Sequence, residues 1–146
     1  MMGVPSDANG DLLLPGYWIK VVSQTYRVWH HGIVRRVHLI GTVYYVEIVH
    51  NVKNDGVTIT TLEEFSQGNP IYIHRRPAST QHTEFILATA EANLGKPYWL
   101  LGQNCEDFCS YCYTQKKKSE AVEAVLGMGA VLGAVGLFAM IFGDSN

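Results

Sequence analysis

The sequence lacks a dominant charge of either sign. Its 11 Lys and Arg residues nearly balance 13 Asp and Glu residues, so the formal net charge of the 146-residue chain is -2. It also lacks long basic or acidic runs. Such a chain has neither the basic excess of a nucleic-acid-binding protein nor a charged disordered tail, so we expect no nucleic-acid partner. The length suits one compact domain.

Cysteine is scarce, and the three residues cluster at Cys105, Cys109 and Cys112. The N-terminus lacks a basic stretch followed by an apolar one, so we expect no signal peptide. An odd number of cysteines in such a chain indicates reduced thiols and not a disulfide framework.

The C-x3-C-x2-C spacing of these cysteines matches the iron–sulfur signature of radical SAM enzymes. Those enzymes resemble β/α barrels of about 200 residues or more, and the motif here lies too near the C-terminus for such a barrel to follow. A zinc site would need a fourth ligand, for which only His74 or His82 is at hand. On a helix the three cysteines lie on one face, which favours burial of all three in the hydrophobic core. We therefore expect no metal and no cofactor.

Charged residues make up only 16% of the chain, against about 25% in a typical soluble domain. The apolar excess lies at residues 124–143, which contain no charge. A helix of this length spans about 30 Å, the thickness of a bilayer core. Three lysines at 116–118 precede it, which predicts a single-pass anchor with the preceding domain facing the cytoplasm.

The main alternative for residues 124–143 is a buried core helix. Gly129 and Gly133 form a GxxxG pair, a weak signal for self-association of the tail helix.

The chain then divides into a loose N-terminus at 1–11, a domain at 12–115, a basic juxtamembrane linker at 116–123 and the anchor at 124–143.

Local patterns predict an α+β domain in which an antiparallel sheet is followed by helices. Strands are expected at 17–22, 27–38, 43–50, 57–60 and 71–74, with one helical turn at 62–65. A helix is expected from Ser79 or Thr80 to Gly95, and a second from Cys105 to Thr114. The apolar face of the first of these helices is expected at Phe85, Ala88 and Ala92.

The stretch from Gly95 to Thr114 is the most informative for chemistry. Asn104 can cap the second helix, which would place Cys105 at its first position. The free backbone N–H groups there favour a thiolate and can bind an oxyanion. Glu106 and Asp107 oppose ionisation of the thiol, although they favour the helix start. The alternative for Cys105 is a small buried apolar residue.

A nucleophilic cysteine needs a base, and the chain has six histidines. Strand alternation places His30 and His31 on opposite faces, so only one of them can face a site. His50 ends the partner strand of the hairpin and can approach His30. His74 and His82 are expected at the surface.

Three motifs together resemble the lecithin:retinol acyltransferase-like family. The NC box is represented by NCEDF at 104–108, preceded by GKPYWLL at 95–101. The H box is represented by HHGIV at 30–34, and TLEEF at 61–65 resembles a stretch of the plant-type members. The resemblance covers about residues 14–113. It implies a circularly permuted NlpC/P60, papain-like fold, and several small animal members also end in a membrane anchor.

The resemblance implies a role for each matching residue. Cys105 corresponds to the nucleophile, His30 to the general base and acid, and His50 to the third, orienting residue. Asn104 and Tyr98 fall where the family places site support or substrate and oxyanion contacts. His30 and His50 are 20 residues apart, wider than is usual in the family. Equal lengthening of both hairpin arms would keep them facing each other.

The implied function is that of a membrane-anchored thiol acyltransferase or phospholipase A. Its partners would be a phospholipid substrate, an acyl acceptor and the membrane. Cys105 would form an acyl-thioester that water, an alcohol or an amine resolves. A non-catalytic interaction protein, targeted to a membrane and carrying both boxes, is the main alternative. A thiol peptidase or amidase like the NlpC/P60 relatives is the third.

Overall fold

The computed structural model describes residues 3–22, 28–98 and 104–116. Within these ranges no helix combines the length and the apolar character needed to cross a membrane. The predicted anchor at 124–143 and most of the linker before it lie outside the described residues.

Five strands form one sheet in the order β4-β3-β2-β1-β5, and all neighbouring strands are antiparallel. The elements are β1 (Trp18–Val22), β2 (Trp29–Ile40), β3 (Val43–Val52), β4 (Gly56–Thr61), α1 (Leu62–Ser66), β5 (Ile71–Arg75), α2 (Thr80–Ala92) and α3 (Cys105–Thr114). The prediction of an α+β fold with an antiparallel sheet followed by helices is confirmed.

Strands β2 and β3 form a long hairpin that turns at Gly41, whose φ is +66°. The register pairs Ile33 with Val49, and a bulge follows between Val34 and Arg36. The bulge residue Arg35 forms ion pairs with Glu47 on β3 and with Glu91 on α2. The Arg35 Nε to Glu91 Oε2 distance is 2.9 Å, so this side chain ties the hairpin to the helix. Beyond the Ile33–Val49 pair, the two arms are of equal length apart from the bulge.

The sheet is covered on both faces. Helices α2 and α3 pack on one face, where Ile33, Phe108, Cys109 and Cys112 are all fully buried. The other face is covered by Leu13 and by Phe65 of α1. Full burial of a large apolar side chain contributes about 1.5–3 kcal/mol. Cys109 and Cys112 thus form part of the core, as their helical spacing favours.

The predicted apolar face of α2 is wrong. The expectation named Phe85, Ala88 and Ala92, but α2 buries Ile86 and Ala90 and leaves Phe85 44% exposed. The helix packs through a stripe four residues apart, to which His82 also belongs. His82 Nε2 lies 3.0 Å from the Tyr113 carbonyl oxygen on α3, so its predicted surface position is wrong as well. Apolar residues on more than one side of α2 left its inward face undetermined.

The N-terminal segment is tied to β5 through Asp7, although composition predicts a loose stretch. Asp7 is buried, and its Oδ1 accepts the N–H groups of Asn9 and Asp11, both at 2.9 Å. Its Oδ2 accepts the N–H of Ile73 at 3.3 Å. Burial raises the Asp7 pKa, but these three donors and Arg76 outweigh it and lower the pKa overall. A short polar side chain that satisfies a turn thus orders the segment.

The segment before the site is held against the outer edge of β4. Val57 N–H donates to the Lys96 carbonyl at 3.0 Å, and Gly95 N–H donates to the Val57 carbonyl at 2.9 Å. Gly56 makes this approach feasible, because a Cβ there would lie 2.2 Å from the Lys96 oxygen. The contact fixes the path of the chain toward Tyr98.

Gly56→Ala and Gly68→Ala together distinguish the energetic cost of this close approach from the cost of placing alanine at a positive φ. Both residues have positive φ, +78° and +83°, but a Cβ at Gly68 meets no atom within 4 Å. We expect Gly68→Ala to cost about 1–2 kcal/mol of unfolding free energy. Gly56→Ala should cost about 1–3 kcal/mol more, since it also overpacks the Lys96 carbonyl. Urea unfolding of the full chain measures both, and equal costs would contradict the role given to the β4 edge.

Candidate active site

Cys105 is the first residue of α3, and Asn104 caps the helix. The Asn104 Oδ1 accepts the N–H of Asp107 at 2.9 Å, so this side chain supports the helix start. Cys105 is 9% exposed. The cap therefore places a nearly buried sulfur at the positive end of a ten-residue helix.

Backbone N–H groups from two elements surround the Cys105 sulfur. The His31 N–H on β2 donates to Sγ at 3.2 Å, and the N–H groups of Cys105 and Glu106 also face the sulfur. Burial raises the pKa of the thiol, whereas these three donors lower it and the Glu106 carboxylate raises it. The net shift is upward, so Cys105 is a protonated thiol at neutral pH and needs a base to ionise.

His30, His50 and Thr60 form a hydrogen-bonded row across three strands. His30 Nε2 lies 2.8 Å from His50 Nδ1, and His50 Nε2 lies 3.0 Å from Thr60 Oγ1. Burial lowers the pKa of His30. Burial, and then the neighbouring His30, lower the pKa of His50 to about 3. Both rings are therefore neutral at neutral pH.

The register of the hairpin explains why the two histidines meet. Ile33 pairs with Val49, so the same register places Gly32 opposite His50, and His30 is on the same face two residues away. The Phe65 ring packs against both, with centroid distances of 5.1 Å to His30 and 5.3 Å to His50. A Cβ on Gly32 would lie 2.9 Å from this ring. The glycine of the H box thus leaves room for Phe65.

The His31 side chain lies on the opposite face, as strand alternation predicts. Its Nδ1 accepts the indole N–H of Trp18 at 2.8 Å. Burial, together with His74, Lys20 and His30, lowers its pKa to about 4. His74 is exposed, and its ring lies 4.5 Å from that of Trp18. His31 contributes only its backbone N–H to the surroundings of Cys105.

One cavity of about 550 Å³ brings together four of the five predicted site residues, whereas Asn104 caps α3 and is not part of its lining. Cys105, His30, His50 and Tyr98 all line it, and so does Asn51. The Asn51 side chain donates to the Tyr98 carbonyl at 2.9 Å. Burial, with Cys105 and Asp107 nearby, raises the Tyr98 pKa. The volume falls in the range of small-molecule pockets, about 300–1,000 Å³.

The cysteines outside the cavity are poor ligands. Burial raises the thiol pKa of Cys109 and of Cys112 well above the usual value. Within residues 3–22, 28–98 and 104–116, no group of three or more His, Cys, Asp or Glu side chains is placed to hold a metal ion.

Sequence reasoning missed three contributors to this site. The sequence patterns place Thr60 in a strand without a function, give no indication that Phe65 contacts both histidines, and leave Asn51 outside the expected strands. Each contacts a residue on another element, so only the register and packing of the sheet reveal them. The one available signal was the TLEEF stretch at 61–65, which contains Phe65.

A comparison with protein families places these features in context. Residues 13–118 match the family model of lecithin retinol acyltransferase, which covers more than half of the chain. No curated protein and no solved structure matches the chain. The matched region contains the helix-capped Cys105, the paired histidines and the cavity that they share. The chain belongs to the lecithin retinol acyltransferase family.

Proposed function

We propose that this protein is a Cys–His acyltransferase or phospholipase A that acts on glycerophospholipid esters. The observation that carries the proposal is one cavity that contains both a helix-start cysteine and a hydrogen-bonded histidine pair. Family membership supports acyl chemistry. We further propose that residues 124–143 anchor the protein in a membrane, with the domain on the cytoplasmic side.

The hydrogen-bonded row is compatible with one direction of proton transfer. If the Thr60 oxygen accepts from His50 Nε2–H, then His50 Nδ1 is an acceptor for His30 Nε2–H. His30 Nδ1 is then left with a lone pair that can take the Cys105 proton. The neutral His50 ring stabilises the resulting imidazolium on His30. Thr60 is therefore a positioning residue, since its hydrogen bond orients the His50 ring.

Both steps of the reaction use these groups. His30 takes the thiol proton as Cys105 Sγ attacks the ester carbonyl carbon, and nearby backbone N–H groups stabilise the oxyanion. The bond to the glycerol oxygen breaks, and His30 returns the proton to that oxygen. A lysophospholipid leaves, and an acyl-thioester remains. Water, an alcohol or an amine then gives a proton to His30 and attacks the carbonyl carbon of the thioester. The C–S bond breaks, and His30 returns the proton to the Cys105 sulfur, which restores the thiol.

Cys105→Ala should abolish acyl release, because the thiol forms the covalent intermediate. The protein is mixed with phosphatidylcholine, quenched in acid, and examined by mass spectrometry for an acyl adduct on the peptide that contains residue 105. Cys112→Ala is the matched control, because it removes a thiol outside the cavity, and it should retain the adduct. Activity that survives Cys105→Ala would exclude the thiol mechanism. A folded wild-type protein without adduct or product would favour a non-catalytic interaction protein.

His30→Gln should lower kcat/KM about 10²–10⁴-fold, the usual contribution of a general base. His31→Gln keeps the backbone N–H and an acceptor for Trp18, so it should lose far less. The base must be neutral, and burial lowers the pKa of His30, so kcat/KM of the wild type should rise with pH through a midpoint below 6.5. Rates on a soluble short-chain phospholipid between pH 4 and 9 test both points. Greater loss in His31→Gln, or a midpoint above 6.5, would contradict the assignment.

Thr60→Val should lower kcat about 2–10-fold with little change in KM, since one hydrogen bond that orients His50 is lost. Thr60→Ser restores the hydroxyl and should restore the rate. Thr58→Val is the matched control, because Thr58 also lines the cavity on β4 but has no hydrogen bond to His50 among the described residues. Equal effects of the two valine variants would show that the Thr60 hydroxyl has no specific role.

A further inference from the structure

The end of β2 beside the cavity exposes apolar side chains on both strand faces. Val28 is 54% exposed and lines the cavity together with His30. Trp29 is 46% exposed and points to the opposite face of the strand. Exposure of a tryptophan next to a valine at the mouth of a pocket is a feature of binding surfaces. Neither residue has a part in the proposed chemistry.

Trp29 lies in a small cluster with Tyr72 and Lys20 on three adjacent strands. The Trp29 and Tyr72 rings meet edge to face with centroids 6.0 Å apart, and Lys20 Nζ lies 4.5 Å from the centroid of the Trp29 ring. Lys20 forms no ion pair within the described part of the chain. Tryptophan, tyrosine and lysine are the side chains favoured at membrane–water interfaces, because each combines an apolar body with a polar end.

We propose that these four residues, Val28, Trp29, Tyr72 and Lys20, form a rim patch that docks the domain onto a glycerophospholipid bilayer. The proposal rests on the proposed function and adds the surface through which the substrate arrives. The patch adjoins the cavity at Val28, so lipid that enters from a docked bilayer passes along apolar side chains and not through water. Lys20 supplies a positive charge at the level of the phosphate groups.

A second exposed apolar surface lies at the hairpin tip, where Leu39 and Ile40 are 51% and 58% exposed. Along β2, Ile40 is roughly 35 Å from Trp29 at about 3.3 Å per residue. Helix α3 runs from the cavity end toward the hairpin tip. Its first residue, Cys105, lies beside His31. Near its other end, the Tyr113 hydroxyl donates to the Gly16 carbonyl, and the Gly16 N–H donates to the Val34 carbonyl. The chain after Lys116 thus starts on the hairpin side. The hairpin tip, however, does not adjoin the cavity.

The predicted anchor is compatible with either end facing the bilayer. Seven residues separate Lys116 from Ala124, and seven residues reach about 25 Å at most. Helix α3 is about 15 Å long, so this linker can pass along the domain to the cavity end. The rim patch is favoured because it adjoins the cavity. A test must therefore distinguish contact of lipid with the rim patch from contact of lipid with the hairpin tip.

Quenching of tryptophan fluorescence by brominated phosphatidylcholine identifies the end that meets lipid. The full-length Cys105→Ala protein is reconstituted in vesicles with and without brominated acyl chains, so no turnover occurs. We expect Trp29→Phe to remove a large part of the quenching, because the other two tryptophans are present in both proteins. Adding Ile40→Trp to Trp29→Phe places an indole at the hairpin tip and should not restore it. Quenching that is unchanged by Trp29→Phe, or restored by Ile40→Trp, would overturn the proposal.

The rate on vesicle lipid relative to that on a monomeric short-chain phospholipid gives a second readout. Trp29→Ser should lower this ratio about tenfold or more, the equivalent of one lost apolar side chain at the interface. Ile40→Ser is the matched control and should leave the ratio unchanged; an equal fall in both variants would overturn the proposal. Failure of the wild type to hydrolyse even the monomeric lipid would contradict the proposed function, while the quenching still tests docking.

Discussion

The hydrogen bond from the His31 backbone N–H to the Cys105 sulfur joins the sheet to the helix that begins at Cys105. It connects residues 74 positions apart, at a distance of 3.2 Å. Because β2 alternates its side chains, the residue before this N–H presents its imidazole to the cavity, while His31 itself binds Trp18 on the other face. One strand therefore supplies a donor to the sulfur and, one residue earlier, the candidate base. Displacement of β2 relative to α3 would disturb both.

Burial determines the resting state of the site. It raises the pKa of the Cys105 thiol and lowers the pKa values of His30 and His50. The resting groups are therefore a thiol and two neutral imidazoles. The His31 N–H already donates to the sulfur, and it lowers the thiol pKa together with the N–H groups of Cys105 and Glu106. The site thus combines a protonated thiol with backbone donors that are already oriented toward it.

The long hairpin preserves the site although it widens the spacing between the histidines. Beyond the Ile33–Val49 pair, both arms extend equally, and the extra residue is absorbed as a bulge at Arg35. The bulge lies past the site, so it does not alter which face His30 and His50 share. It also directs Arg35 toward Glu91, which fastens the extension to α2. Added length thus changes the far end of the hairpin and leaves the cavity end intact.

Local signals in the sequence determined the order of the elements, the capped start of α3 at Cys105 and the alternation of His30 and His31. Each depends on neighbours within a few residues, which fix helix caps and strand periodicity. Tertiary structure alone decided that Thr60 meets His50, that Phe65 covers both histidines, and that α2 faces inward through Ile86 and not Phe85. It also decided the contact of His82 with Tyr113 and the burial of Asp7. These features depend on strand register and on packing between distant segments, which no local pattern encodes.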